Sequence, residues 1–225
     1  MDQIMQQLPI VLHSLNVGFL QTLRLFFVTL LGALPLGLLI SFCSRSRITP
    51  VRVLFKVIIW IVRGTPLMIQ LLIIYYFPGL VLHNPVWGGD ESGRFLASSV
   101  AFILNYSCYL SEIFRGGIES IPLGQDEAGA VLGMTRRQVF FHVKLLQMVK
   151  NVLPPLSNEI LTLVKDTSLA STIMIGEMFR KAQEAAASSL EYLWIYVEVA
   201  LIYLFFCTIL TGFQKWIEKK LRIGK

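Results

Sequence analysis

Apolar residues in this chain do not alternate with polar ones at the period of a surface helix or strand. They gather in blocks, at about residues 17–43, 53–82, 95–114, 156–177 and 192–214, separated by short polar stretches. A hydrocarbon core is crossed by about 20 helical residues, so each block predicts one membrane-spanning helix. The second block is interrupted at Arg63-Gly64-Thr65-Pro66. Proline removes a helical donor and clashes with the preceding turn, so a kink is expected there. Such a break either lines a cavity with freed backbone groups or is a plain packing kink. The segment between the third and fourth blocks, about 115–155, has a different pattern. Asp126-Glu127 open a short helix, EAGAVLG, where acidic residues suit the positive end of the dipole, and Gly133 ends it. A second helix at about 135–150 presents Val139, Val143, Leu146 and Val149, with Lys144 and Lys150 towards solvent. Two short helices joined at a glycine make a compact knob; a solvated loop of helical character is the alternative.

Composition agrees with this pattern. The 225 residues are 55% hydrophobic and 15% charged, too apolar for an ordinary soluble domain. There is no internal repeat or long linker, and residues 1–225 are read as a single transmembrane domain, an all-α integral membrane protein with five transmembrane helices. The opening MDQIMQQLPIVLHSL lacks a basic n-region and a small-residue cleavage site, so no cleaved signal peptide is expected. The formal charge of +6 sits in short connecting segments, which makes it a topology signal rather than a nucleic-acid footprint. Arg45, Arg47, Arg52 and Lys56 lie between blocks one and two, and Arg115, Arg136, Arg137, Lys144 and Lys150 between three and four. Lys215, Lys219, Lys220, Arg222 and Lys225 follow block five. The opposite side holds Arg94, Arg180 and Lys181 among Asp90, Glu91, Glu184 and Glu191. The expected orientation has the N-terminus outside, and the C-terminus and 115–155 in the cytoplasm.

Most chemistries find no support. No GxxxxGK[ST] phosphate loop is present, so the chain is not expected to bind ATP itself. His13, His83 and His142 are scattered, and Cys43, Cys108 and Cys207 read as small buried hydrophobes. The intramembrane serines lack a histidine partner. Ionisable groups at membrane depth are costly and normally face the bundle interior. In block three, Asn105, Tyr109 and Glu112 share one helical face, with Ser107 and Ser111 nearby; in block four, Asn158, Thr162 and Lys165 do the same, beside Asp166. Carboxylates, an ammonium and hydroxyls together suit a zwitterionic amino acid. A Lys165–Asp166 or Lys165–Glu112 pair that only stabilises the bundle is the alternative. Arg24 is expected to snorkel to the outer interface.

The segment 124–171, with its ordered flanking motifs, resembles the membrane subunits of ABC importers, in particular their polar-amino-acid branch of histidine, glutamine and arginine type. Its loop looks like the cytoplasmic EAA motif: Glu127-Ala128-Gly129, then Gly133, then Val143-Lys144-Leu145-Leu146. Gly129 stands for the second alanine, a mild change, and Leu146 for the family's proline. Arg63-Gly64-Thr65-Pro66-Leu67 with Gln70-Leu71, Glu112-Ile113-Phe114-Arg115-Gly116-Gly117, and Lys165-Asp166-Thr167-Ser168-Leu169-Ala170-Ser171 are similar to the branch's other motifs. The resemblance spans roughly residues 15–215. It implies a type I ABC importer permease core in the bacterial cytoplasmic membrane. The ATPase-coupling loop would be Glu127, Ala128, Gly129, Gly133, Met134 and Thr135. The substrate pathway would include Gln70, Ser107, Glu112, Lys165, Asp166, Thr167 and Ser168. The implied partners are two ABC ATPase subunits that carry ATP and Mg, a second permease subunit, an extracytoplasmic solute-binding protein and a polar amino-acid substrate. A secondary transporter, though usually built from repeated spans, and a membrane anchor or assembly subunit remain as alternatives.

Overall fold

The computed structural model describes residues 2–189 and 192–222, without the side chains of residues 2–10, 221 and 222. Of the charges counted for orientation, Glu191 and Lys225 and the side chain of Arg222 lie outside the described residues. Every regular element among the described residues is helical: α1 (Asp2–Ser44), α2 (Thr49–Arg63), α3 (Leu67–Leu80), α4 (Glu91–Glu119), α5 (Gly124–Val131), α6 (Arg136–Gln138), α7 (Leu145–Asp166), α8 (Met178–Ser189) and α9 (Tyr192–Arg222). Helices satisfy their own backbone, the condition for a chain surrounded by lipid. Two stretches are by themselves long and apolar enough to cross a membrane, Val11–Ser44 and Tyr192–Lys220. The pair α2–α3, bent by 105° at the 64–66 break, makes a third if counted as one span.

Helix α4 is the axis of the bundle. It packs against α1, α2, α3 and α7, and its buried residues include Ala97, Ser98, Ser99, Ala101, Ser107 and Ser111. Small residues allow close helix approach. The hydroxyls of Ser99, Ser107 and Ser111 donate to the α4 carbonyls of Phe95, Ile103 and Cys108 at 2.8, 2.5 and 2.8 Å. A helix enclosed by protein need not be apolar all round, and α4 accordingly carries more polar residues along its length than the peripheral α9. The main core joins Leu25 and Phe26 of α1, Leu71 of α3, Phe102 of α4 and Leu163 of α7. A second cluster seats α8 between α1 and α9 through Leu15, Met178, Ala182 and Ile195.

Two boundaries differ from expectation. The block at 156–177 is not one helix: α7 begins at Leu145 and ends at Asp166, a 3-10 segment covers Thr167–Ile173, and Met174 (φ 63°) closes it. The cause is local. The hydroxyls of Thr167, Ser168, Ser171 and Thr172 donate to carbonyls three residues back, at 2.6, 2.7, 2.7 and 2.7 Å, in competition with the i−4 ladder. The second amphipathic helix at 135–150 is likewise not separate. A π-helical turn, Val139–Lys144, leads from α6 straight into α7. With leucine rather than proline at 146, nothing stops the helix.

At the far end, buried Glu177 caps α8, accepting from the N–H of Phe179 at 2.8 Å and of Arg180 at 2.7 Å. Lys181 and Arg180 donate to Glu184 at 2.8 and 3.1 Å, and these bonds, Lys181's first, hold its carboxyl below the usual range. Arg24 is exposed and lies over the Phe95 ring at 4.3 Å.

Candidate functional site: a broken helix and a surface knob

The break between α2 and α3 is built by its own residues. The Thr65 hydroxyl donates to Ile61 O at 2.9 Å, and the Gln70 amide donates to Val62 O at 2.7 Å and to Thr65 Oγ1 at 2.8 Å. Pro66 has no N–H for Val62 O, and the helix ends before the Thr65 N–H can serve Ile61 O, so the side chains of Gln70 and Thr65 supply replacements. Gln70 Oε1 then accepts from Asn105 Nδ2 at 3.0 Å. Asn105, Tyr109 and Glu112, the polar face of α4, all meet the break: the Tyr109 hydroxyl reaches Arg63 O at 3.5 Å and Glu112 lies 3.8 Å from Arg63. Arg63 therefore pairs with an acid and stacks on Tyr109 at 5.2 Å; the freed carbonyls go to Thr65 and Gln70.

The remaining pathway candidates fall into three places. Asp166 is half-buried and accepts from the Tyr106 hydroxyl at 2.7 Å. Lys165 turns away into a groove of about 570 Å3 shared by Ser168, Phe179, Tyr196, Tyr203 and Cys207. No ion pair joins Lys165 to Asp166 or Glu112; Glu112 instead takes Arg115 at 2.6 Å. Thr167 is buried, its hydroxyl spent on Val164 O. Ser107 is also buried, where α4 crosses Gly37 of α1, apart from the break and from Asp166. Sequence reasoning missed Tyr106 as the partner of Asp166. It also passed over Glu159, half-buried seven residues before Asp166 and so on the same face of α7.

The knob is a closed structure. Gly133 (φ 71°) sits in the left-handed region, with Met134 N bonded to Gly129 O at 2.9 Å and Gly133 N to Ala130 O at 3.0 Å, a Schellman ending for α5. Thr135 and Gln138 form a capping box at the next helix start. Lys144 reaches Asp126 at 2.5 Å, tying α5 to the start of α7, and Asn151 of α7 donates to Ser120 Oγ at the end of α4 at 2.7 Å. Gly129 is buried against Val139: a β-carbon there would overlap the Val139 Cγ2 methyl. Alanine at 129 is thus not the mild exchange the motif suggests. Glu127 and Ala128 are exposed. Leu123, Val131 and Leu132 are 80, 88 and 77% exposed, and 123, 127 and 131 share one face of α5. This apolar patch on a rigid polar knob is a surface made to be covered. The i, i+4, i+8 spacing was readable in the sequence.

Residues 33–223 match the family described as binding-protein-dependent transport system inner membrane component. The chain belongs to that family. This inner-membrane component is 41% identical over 210 residues to the L-cystine transport system permease protein TcyB of Bacillus subtilis (strain 168), covering 92% of this chain and 86% of the relative. It is 35% identical over 216 residues to the arginine transport system permease protein ArtQ of the same organism, covering 96% and 94%. Among solved structures, a crystal structure of an amino acid ABC transporter with histidines matches with a TM-score of 0.83 at 29% identity, covering 97% of both chains. The inward-facing MetNI methionine ABC transporter shares the fold, with a TM-score of 0.65 at 17% identity and coverage of 98 and 99%. The motif-based resemblance to amino-acid ABC permeases is therefore borne out, and the inner-membrane component has the all-helical type I permease fold. The alternatives, a secondary transporter or a bare anchor, gain nothing from these likenesses.

Proposed function

We propose that this chain is the five-span permease subunit of an ABC importer for polar amino acids, working beside a second permease copy or homologue. In this reading α4 and the α7–3-10 unit are the third and fourth spans, α2 and α3 together the second. They cross the membrane inside the assembly, where protein rather than lipid surrounds their polar faces. The observation that carries the reading is the knob: an exposed apolar patch on a short helix with a Schellman ending, followed by a capping box and held through Asp126 to Lys144 at the start of α7. A separate ATPase seated on Leu123, Glu127, Val131 and Leu132 would move α7 as it closes. ATP and Mg belong to that partner, present in two copies, and an extracytoplasmic binding protein delivers the substrate. Gln70, Asp166, Lys165 and Ser168 are the proposed pathway set, while Thr167, buried with its hydroxyl on Val164 O, shapes the 3-10 segment beside them. Tyr106 orients Asp166, while Ser107 and Glu112 support the set through packing and ion pairing. The N-terminus is outside and the C-terminus in the cytoplasm of a bacterial cell.

Reconstitution of this chain with the ATPase that co-purifies with it tests the proposal. Vesicles loaded with ATP should accumulate a labelled polar amino acid only with binding protein present, and vanadate should stop uptake. Uptake driven by an ion gradient with no ATPase would overturn it.

A further inference from the structure

Five cations converge on one cavity where α1 turns into α2. It measures about 590 Å3 and is lined by Arg45, by Arg52, Lys56 and Arg63 of α2, and by Arg115 of α4; its acids are Glu112 and Glu119. Positions 52, 56 and 63 fall on one face of α2, at i, i+4 and i+11. Both acids are already engaged. Glu119 takes Arg115 at 2.6 Å and Arg45 at 3.5 Å, and Glu112 takes Arg115 at 2.6 Å and Arg63 at 3.8 Å. Among the described residues, Arg52 and Lys56 come within 4.0 Å of no carboxylate, Lys56 acts on Glu112 only from farther off, and Arg52 reaches only Thr49 Oγ1 at 3.4 Å. Two surplus cations in one concavity make an anion site. Charge counting for orientation needs these residues only on one side of the membrane; it does not require them to converge.

The other face of α2 indicates which anion. Val53, Leu54, Val57 and Ile61 are 45–56% exposed, and Trp60, which also lines the cavity, is 75% exposed. The first half of a span that is basic on one side and apolar on the other, with tryptophan between, meets headgroups with the first side and acyl chains with the second. A soluble anion would use the charges alone; an amphiphile uses both faces. We propose that this cavity holds the phosphate headgroup of an acidic phospholipid, with its acyl chains along the apolar face of α2.

Native mass spectrometry of the full chain with its co-purifying ATPase, in detergent containing phosphatidylglycerol or phosphatidylcholine at equal mole fraction, reads the site directly. Wild type should retain phosphatidylglycerol with roughly 30-fold preference, about fivefold from each of the two surplus cations. R52Q/K56Q should lose that preference, and R52K/K56R should keep it. If R52Q/K56Q fails to assemble, K56Q alone carries the test, with a loss of about fivefold. Equal retention of both lipids by wild type, or an undiminished preference in the neutralised variant, overturns the proposal. So does millimolar inorganic phosphate that stabilises wild type but not the neutralised variant in phosphatidylcholine without any lipid preference, because the site then serves a soluble anion.

Discussion

Asp166 and Lys165 are consecutive residues whose side chains go to different partners, the carboxylate to Tyr106 and the ammonium to the groove beside Tyr196 and Tyr203. A structural ion pair between them would have made each necessary only for the other. Without it, D166N should weaken apparent substrate affinity by about 1.5–3 kcal/mol, the worth of a charge-assisted hydrogen bond, which is about 10- to 150-fold in uptake KM. K165M should not rescue D166N, because the two side chains form no ion pair and each keeps its own surroundings. Y106F keeps the carboxylate and loses only its orienting donor, so its defect should be smaller than that of D166N. A wild-type KM for D166N at matched expression, or recovery in the double variant, would remove Asp166 from the pathway. Residue type and depth singled out Asp166 in the sequence. Its partner was not legible, because a tyrosine on α4 meets it only through the packing of two helices 60 residues apart.

At the level of elements, turn chemistry made the knob legible: the acidic first turn of α5, the glycine at 133 and the threonine at 135 all do what their types predict. What could not be read was that the chain runs through a π turn into α7, and that Gly129, not only Gly133, is constrained. Gly133 is held by its backbone angle, with open space around it; Gly129 is held by a neighbour, Val139. G129A should therefore push α5 off the π turn at an overpacking cost of about 1–3 kcal/mol. V139A, which removes the opposing methyls, should return part of that loss in the double variant. Thermal midpoint and the fraction of ATPase that co-elutes are the readouts. Wild-type values for G129A would mean that the α5–π contact does not shape the docking surface. The 3-10 end of α7 has the same lesson in another form. Block hydropathy marks where a helix can lie, while four hydroxyls in Thr167–Ile173 decide how tightly it winds.

Across the whole molecule, side-chain contacts sort the connecting segments into two ends. Arg45 lies 3.5 Å from Glu119, and Asn151 bonds Ser120, so the α1–α2 turn, the end of α4 and the knob share one end. Gln21 bonds Glu91 at 3.4 Å, and Gly176 lies near both Glu91 and Lys181, so the start of α4 and α8 share the other. The first end carries Arg45, Arg52, Lys56, Arg115, Lys144 and Lys150; the second mixes Arg94, Arg180 and Lys181 with Asp90, Glu91 and Glu184. Short loops rich in lysine and arginine stay in the cytoplasm. The knob would then face the compartment that supplies ATP. Gly89 and Gly124 sit at opposite ends, and a β-carbon at either meets nothing within 4 Å, so a cysteine is tolerated at both. In a background with Cys43, Cys108 and Cys207 replaced, G89C in intact cells should react with an impermeant maleimide. G124C should react only after the membrane is opened. The opposite labelling pattern would place the knob outside the cell, beyond reach of any cytoplasmic ATPase, and the coupling role assigned to Glu127 and Val131 would fall with the orientation.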